Sequence, residues 1–136
     1  YRTPAIGSAG SPDFVDGVVA ADTDIAPREL KFGVLRAIEA ALGRERTADR
    51  NAPRVIDLDL LLYGDRVIRE PDLVVPDPDL TKRAFLALPA LELDPNLMVP
   101  GTQARLSDAA ALLDSSAMVP LRQFTAQLRQ EIEREP

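Results

Sequence analysis

The sequence predicts an α+β protein, with short strands early in the chain and helices late. Three observations carry that prediction. Two runs, at 13–22 and 55–63, have the length and aliphatic content of strands. An apolar stripe at helical spacing follows Pro27, and a second closes the chain after Pro120. The 136 residues match the usual size of one domain, so 1–136 is expected to form a single domain.

Each element has its own signal. Tyr1 leads directly into a strand end, and 7–12 (GSAGSP) reads as a loop. In the strand expected at 13–22, Phe14, Asp16 and Val18 share one face, with Val15, Gly17 and Val19 on the other. Pro27 suits a first helical turn, Leu30, Val34, Leu35, Ile38 and Leu42 form the stripe, and Gly43 is placed to end it. Glu39 lies off that stripe, so on its own it reads as a solvated residue. RERTADRNAP at 44–53 is polar, basic and aperiodic, and reads as a mobile loop. Residues 55–63 read as a strand, and Gly64-Asp65 as a turn into a short partner at 66–68, making a β-hairpin. Three prolines make 70–79 extended or turning. Asp79 suits the cap of a short helical piece containing Arg83 and Phe85, and Pro89 and Pro95 bound another short segment. Ser107 is expected to cap a helix reaching about Asp114. In the last helix Leu121, Phe124, Leu128 and Ile132 lie along one side, facing the core or a partner.

Composition excludes several kinds of chemistry. The chain has no cysteine, which rules out disulfides, thiolate zinc sites and cysteine nucleophiles and fits a reducing compartment; the cytoplasm is the expected location. It has no histidine, which removes imidazole bases, imidazole ligands and Ser-His triads. Any metal must then be held by oxygen, which favours hard ions such as magnesium. A net charge of -6 disfavours nonspecific nucleic-acid binding, and no apolar run approaches a membrane span.

PRVIDLDLLL at 53–62 is the unusual stretch. On a strand, Asp57 and Asp59 would share one face, roughly 6.5–7 Å apart at Cα, and Ile56, Leu58 and Leu60 the other. An acidic pair on the solvent face of a strand is common and needs no function. Two close carboxylates otherwise need positive charge between them. A divalent cation is one solution, and an arginine such as Arg54 is the other. Arg44, Arg46, Arg50 and Arg54 fall within eleven positions, and arginine forks match phosphate oxygens. A basic loop running into an acidic strand fits metal-assisted phosphoryl transfer.

RNAPRVIDLDLLLYG, with its Pro-Arg-x-x-Asp-aliphatic-Asp core, resembles the signature of the 6-hydroxymethyl-7,8-dihydropterin pyrophosphokinase family of folate biosynthesis. YRTP at 1–4, PDFVDGVV at 12–19, the helix with Glu39, GRER at 43–46 and VPDPDLTKRAF at 75–85 resemble other family segments in the same order. The resemblance runs from Tyr1 to about Gly101 and more loosely to the end, so 102–136 is the more divergent, helical part. It implies a ferredoxin-like α+β sandwich and transfer of pyrophosphate from ATP to the pterin hydroxymethyl group, with magnesium as cofactor and AMP as product. It implies that Asp57 and Asp59 bind magnesium and that Arg44 and Arg46 belong to a catalytic loop closing over the triphosphate. Arg54 and Arg83 match phosphate-contacting positions, and Glu39 and Asp77 match positions near the nucleotide. Phe14 and Phe85 match aromatics that sandwich the pterin, while Thr3, Ile6 and Asp16 match its edge. Read without the family, Phe14 and Phe85 are ordinary core residues, and Arg83 is a surface or capping one.

Three departures bear on this reading. The family opens with a strand, a GSN loop and a helix ahead of YRTP, and these are absent from the chain; the protein is expected to carry them. Asp77 stands where the family has histidine, adding negative charge beside a triphosphate. Asp16 stands where it has asparagine, and an ionised aspartate only accepts hydrogen bonds. A rival reading is therefore a degenerate family member that binds a ligand or partner without turnover. A third makes the chain one piece of a larger folate-pathway polypeptide, with its last helix packed on a neighbouring domain.

Overall fold

The computed structural model describes residues 1–5, 12–48 and 54–134. It is α+β, with two small antiparallel sheets and several helices, and its contacts divide it into two compact units. No helix among the described residues is long and apolar enough to cross a membrane.

One unit comprises 1–20, 79–98 and 104–136. Its sheet pairs β1 (Arg2–Thr3) with β2 (Phe14–Val15), in the register Arg2↔Val15 and Thr3↔Phe14. Arg2 also exchanges backbone bonds of 2.8 and 3.0 Å with Val119. The strand expected at 13–22 is therefore cut to two residues. Beyond Val15 the backbone leaves the ladder after Asp16 donates to the Tyr1 carbonyl at 2.8 Å, and Val19 is exposed. Leu80 and Leu106 are fully buried, and with Ala84, Ala87, Ala90 and Ala110 they form this unit's core. The small alanines let α3 (Ala84–Leu93) and α4 (Leu106–Ala110) approach closely. α3 runs through Pro89 instead of stopping there, and α4 starts at Leu106, with no side-chain cap from Ser107. A 3₁₀ turn, Pro78–Thr81, stands where Asp79 was expected to cap a helix. The last helix, α5 (Arg122–Arg134), lies where it was expected; Phe124, Leu128 and Ile132 on it are exposed.

The other unit comprises 21–78 and 99–103. Its helix is continuous but not uniform: α1 (Pro27–Glu29) passes into a π-helical turn (Leu30–Leu35) and then α2 (Arg36–Ala41). Gly43, at φ +92°, follows its end, in a conformation that costs glycine nothing. The π turn corrects the expected stripe. In an α-helix each residue advances about 100°, so one extra residue in a turn rotates everything beyond it by about that angle. Ile38 and Leu42 consequently stand 43% and 53% exposed, while Glu39, expected in solvent, is 2% exposed.

The hairpin is also displaced. β3 (Ile68–Glu70) pairs with β4 (Leu73–Val75) around Pro71-Asp72, and Leu73 and Val75 are buried. The Pro-Asp pair in a stretch read only as turning is what makes this reversal. Residues 55–63 form no strand. Leu58 N–H is taken by the Glu39 carboxylate and the Leu61 carbonyl by Asp77 N–H, so bonds a ladder would use go elsewhere. The alternation survives without the ladder: Ile56, Leu58 and Leu60 are half-buried, and Asp57 and Asp59 face out.

Candidate functional site

The site grows from Glu39. A buried carboxylate is stable only when its lone pairs are satisfied. Here Oε1 accepts from Arg44 at 2.5 Å and from Leu58 N–H at 2.8 Å, and Oε2 accepts from Arg46 at 2.6 Å. Leu58 lies between Asp57 and Asp59, so Glu39 fixes the backbone from which both carboxylates project. Arg44 continues the network, donating to Asp57 at 2.6 Å, and Arg54 takes the other Asp57 oxygen at 2.6 Å.

The two aspartates thus differ. Burial pushes the Asp57 carboxyl up, but the guanidiniums of Arg44 and Arg54 outweigh it and hold the group below its ordinary range. Asp59 is pushed up, first by burial and then by the charges of Asp57 and Asp77, with Lys31 opposing. Among the described residues no hydrogen bond or ion pair ends on Asp59. Of the two remedies for repulsion between carboxylates, arginine serves Asp57, and Asp59 has neither.

These side chains line a cavity of about 220 Å³. The structure brings together Glu39, Arg44, Arg46, Arg54, Asp57 and Asp59 there, and Asp77 lies in the same unit, within electrostatic range of Asp59. Lys31 and Arg36 also line the cavity, and sequence reasoning missed them. They are five apart, a spacing that separates side chains by about 140° on an α-helix and aligns them only across a π turn.

The remaining candidates belong to the other unit. Thr3, 8% exposed, donates its hydroxyl to Asp16 at 2.5 Å, and Phe14, half-exposed, is the strand partner of Thr3. Arg83 and Phe85 flank the start of α3; Arg83 lies 3.9 Å from Asp79, with both side chains exposed. Among the described residues, no hydrogen bond or ion pair joins Arg83 or Phe85 to Thr3 or Asp16. Ile6 and Arg50 lie outside the described residues.

Comparison with known proteins adds an independent finding. Residues 1–95 match the model of the family described as 7,8-dihydro-6-hydroxymethylpterin-pyrophosphokinase (HPPK). A 2-amino-4-hydroxy-6-hydroxymethyldihydropteridine pyrophosphokinase from Pseudomonas aeruginosa is 42% identical over 100 residues, covering 74% of this chain and 60% of the relative. The protein of the same name from Methylorubrum extorquens is 40% identical over 118 residues, 87% of this chain and 72% of the relative. Folic acid synthesis protein fol1 of Pneumocystis carinii is 36% identical over 102 residues, 75% of this chain but 14% of that protein. The chain spans about three fifths of the length of several such curated relatives.

Proposed function

The chain belongs to the 7,8-dihydro-6-hydroxymethylpterin-pyrophosphokinase family, and from that premise we propose that it transfers pyrophosphate from ATP to the hydroxymethyl group of 6-hydroxymethyl-7,8-dihydropterin. In this reaction the pterin hydroxyl oxygen attacks the β-phosphorus and its proton passes to solvent. The bond from that phosphorus to the α-β bridging oxygen breaks, and AMP departs with the oxygen. The single observation that carries the reading is Asp59, a carboxylate that among the described residues accepts no hydrogen bond and forms no ion pair, in a cavity otherwise rich in arginine.

Such a site fits magnesium, because the donors are hard oxygens and Asp59 carries negative charge that no hydrogen-bonded or ion-paired cation among the described residues neutralises. Asp57 and Asp59 would hold the ion, which when bound supplies charge neutralisation for the polyphosphate and orientation for the pterin hydroxyl. Arg44 and Arg46 are assigned to the triphosphate, with Arg54 and Arg83 as further phosphate contacts. For Arg44, Arg46 and Arg54, exchange from carboxylates to phosphate preserves the charge-assisted hydrogen bonds each now makes. Glu39 stores Arg44 and Arg46 at the nucleotide side, and Asp77 adds charge there that weakens ATP binding. Phe14 and Phe85 are assigned to the pterin faces, and Thr3, Ile6 and Asp16 to its edge. Asp16, already receiving the Thr3 hydroxyl, can accept only pterin N–H groups with its remaining capacity. A ferredoxin-like arrangement and a cytoplasmic setting complete the proposal. So does fusion or association with another folate-pathway domain, which the much greater length of fol1 supports.

The test is AMP formation from ATP and magnesium, with and without the pterin, using protein of verified intact mass. Pterin-dependent AMP is expected. Tight binding of both ligands without AMP would instead favour the degenerate binding module, for which Asp16 and Asp77 are the motive.

A further inference from the structure

Among the described residues, five cations line the cavity against three carboxylates. Three of the five are already committed: Arg44 to Glu39 and Asp57, Arg46 to Glu39, and Arg54 to Asp57. Lys31 and Arg36 are different. Among the described residues neither forms a hydrogen bond or ion pair with an acid. Lys31 feels the charges of Asp59 and Asp72 only at longer range. Both lie against the Phe32 ring, with Lys31 Nζ 5.7 Å and Arg36 Cζ 4.4 Å from its centroid. The third cation on that ring, Arg28, faces the hairpin and is taken by Glu70 and Asp72.

The π turn explains the pairing. Lys31 and Arg36 stand five apart across it, a spacing that a π turn brings towards one helix face, and both line the same cavity. π turns are rare and, where they occur, are frequent at functional sites. A cation–π contact orients a guanidinium or ammonium without neutralising it. The ring therefore fixes the two charges in place and leaves them available to an anion.

We propose that Lys31 and Arg36 are the docking pair for the polyphosphate tail of the nucleotide, engaged before Arg44, Arg46 and Arg54 leave their carboxylates. The inference rests on the nucleotide-dependent reading above and deepens it. It assigns ground-state affinity to the two uncommitted cations, whereas the three committed arginines must exchange partners to act. Loss of the pair raises KM for magnesium-ATP and leaves kcat for AMP formation near its original value.

The experiment measures binding of inorganic tripolyphosphate and of magnesium-ATP to the full-length protein by calorimetry, for the wild type and for Lys31→Gln, Arg36→Gln, the double variant and Arg36→Lys. Each single glutamine change is expected to weaken tripolyphosphate about tenfold and the double change about a hundredfold, the range for charge-assisted hydrogen bonds. Arg36→Lys should recover part of the loss, since it restores charge without the planar fork. Arg129→Ala, whose side chain lies 4.0 Å from Glu92 in the other unit, serves as the control and should bind normally. Unchanged affinity in the double variant overturns the docking pair, as does a wild type with no affinity for tripolyphosphate. A wild type that binds tripolyphosphate through this pair but forms no pterin-dependent AMP overturns the pyrophosphokinase reading and leaves the docking pair standing.

Discussion

Glu39 in one unit and Asp16 in the other treat a carboxylate in opposite ways. Glu39 is almost wholly buried, and its two oxygens accept from two arginines and a backbone amide. Asp16 is half-buried; one oxygen takes the Thr3 hydroxyl, and the other accepts no hydrogen bond among the described residues. A carboxylate whose capacity is filled by the chain is part of the fold, and one with capacity left over is available to a ligand. The two aspartates differ in the same sense before any ligand arrives: Arg44 and Arg54 hold Asp57 and must pass to phosphate before it can take a metal, whereas neither holds Asp59.

The largest effect expected from this contrast is on turnover. Asp59→Asn should reduce magnesium-dependent AMP formation by about a thousandfold or more, in the range seen when a key electrostatic group is removed from a reaction centre. The melting temperature should hold or rise, because the change removes a charge that burial and the neighbouring carboxylates disfavour. Asp57→Asn should lose comparable activity and also lower the melting temperature, since it breaks two ion pairs. Equal thermal behaviour in the two variants would break the distinction between them.

Glu39→Ala should have the largest effect on stability. It leaves Arg44 beside a buried void and orphans the Leu58 amide, a kind of loss that costs about 3–5 kcal/mol for a buried ion pair. Glu39→Gln keeps an acceptor for Leu58 and should cost less. Chemical denaturation with both variants checks this, and a cost under about 1 kcal/mol for Glu39→Ala would show that the carboxylate does not organise the cavity.

How much of this was legible beforehand depends on what each feature needs. Faces were legible, because alternation belongs to the side chains: Asp57 and Asp59 turn outward as 53–62 suggests, even though no ladder forms there. The hairpin lies several residues beyond the Gly64-Asp65 turn that the sequence favours, because the chain reverses at Pro71-Asp72 instead. The π turn left no mark, since a 3.6-residue period assumes that no turn holds an extra residue. That assumption misplaced Glu39 in solvent and hid Lys31 and Arg36. The grouping of Arg44, Arg46 and Arg54 with the aspartates was anticipated from their closeness in sequence, while which arginine holds which carboxylate required the geometry.

Acid titration separates the aspartates more gently. The Asp57 carboxyl is held below its ordinary range, so its ion pairs stabilise the protein above the unfolded value, about 4. That contribution is lost as pH falls through the depressed folded value. Asp59 runs the other way: its raised folded value means the native state binds the proton more tightly, and stability is gained as pH falls through it. Asp59→Asn should therefore steepen the net loss of stability on acidification, and Asp57→Asn should flatten it. Melting temperature across the acid range reads both slopes, and identical curves for the two variants would show that the neighbouring arginines do not divide the pair.

The smallest expected effect lies at Asp16. Asp16→Asn keeps the shape and an acceptor for the Thr3 hydroxyl while adding an N–H donor on the other side. Because a free carboxylate oxygen pairs with N–H groups more strongly than an amide oxygen does, the substitution should raise KM for the pterin a few-fold and leave KM for ATP unchanged. Thermal stability should be nearly unaltered, since Asp16 carries none of the ion pairs that fix Glu39. A fall in pterin KM would mean that the edge of the ligand prefers a donor at this position, and that the open oxygen of Asp16 is a cost to binding. An equal shift in both Michaelis constants would mean that Asp16 serves the fold of its unit, as Glu39 serves the cavity.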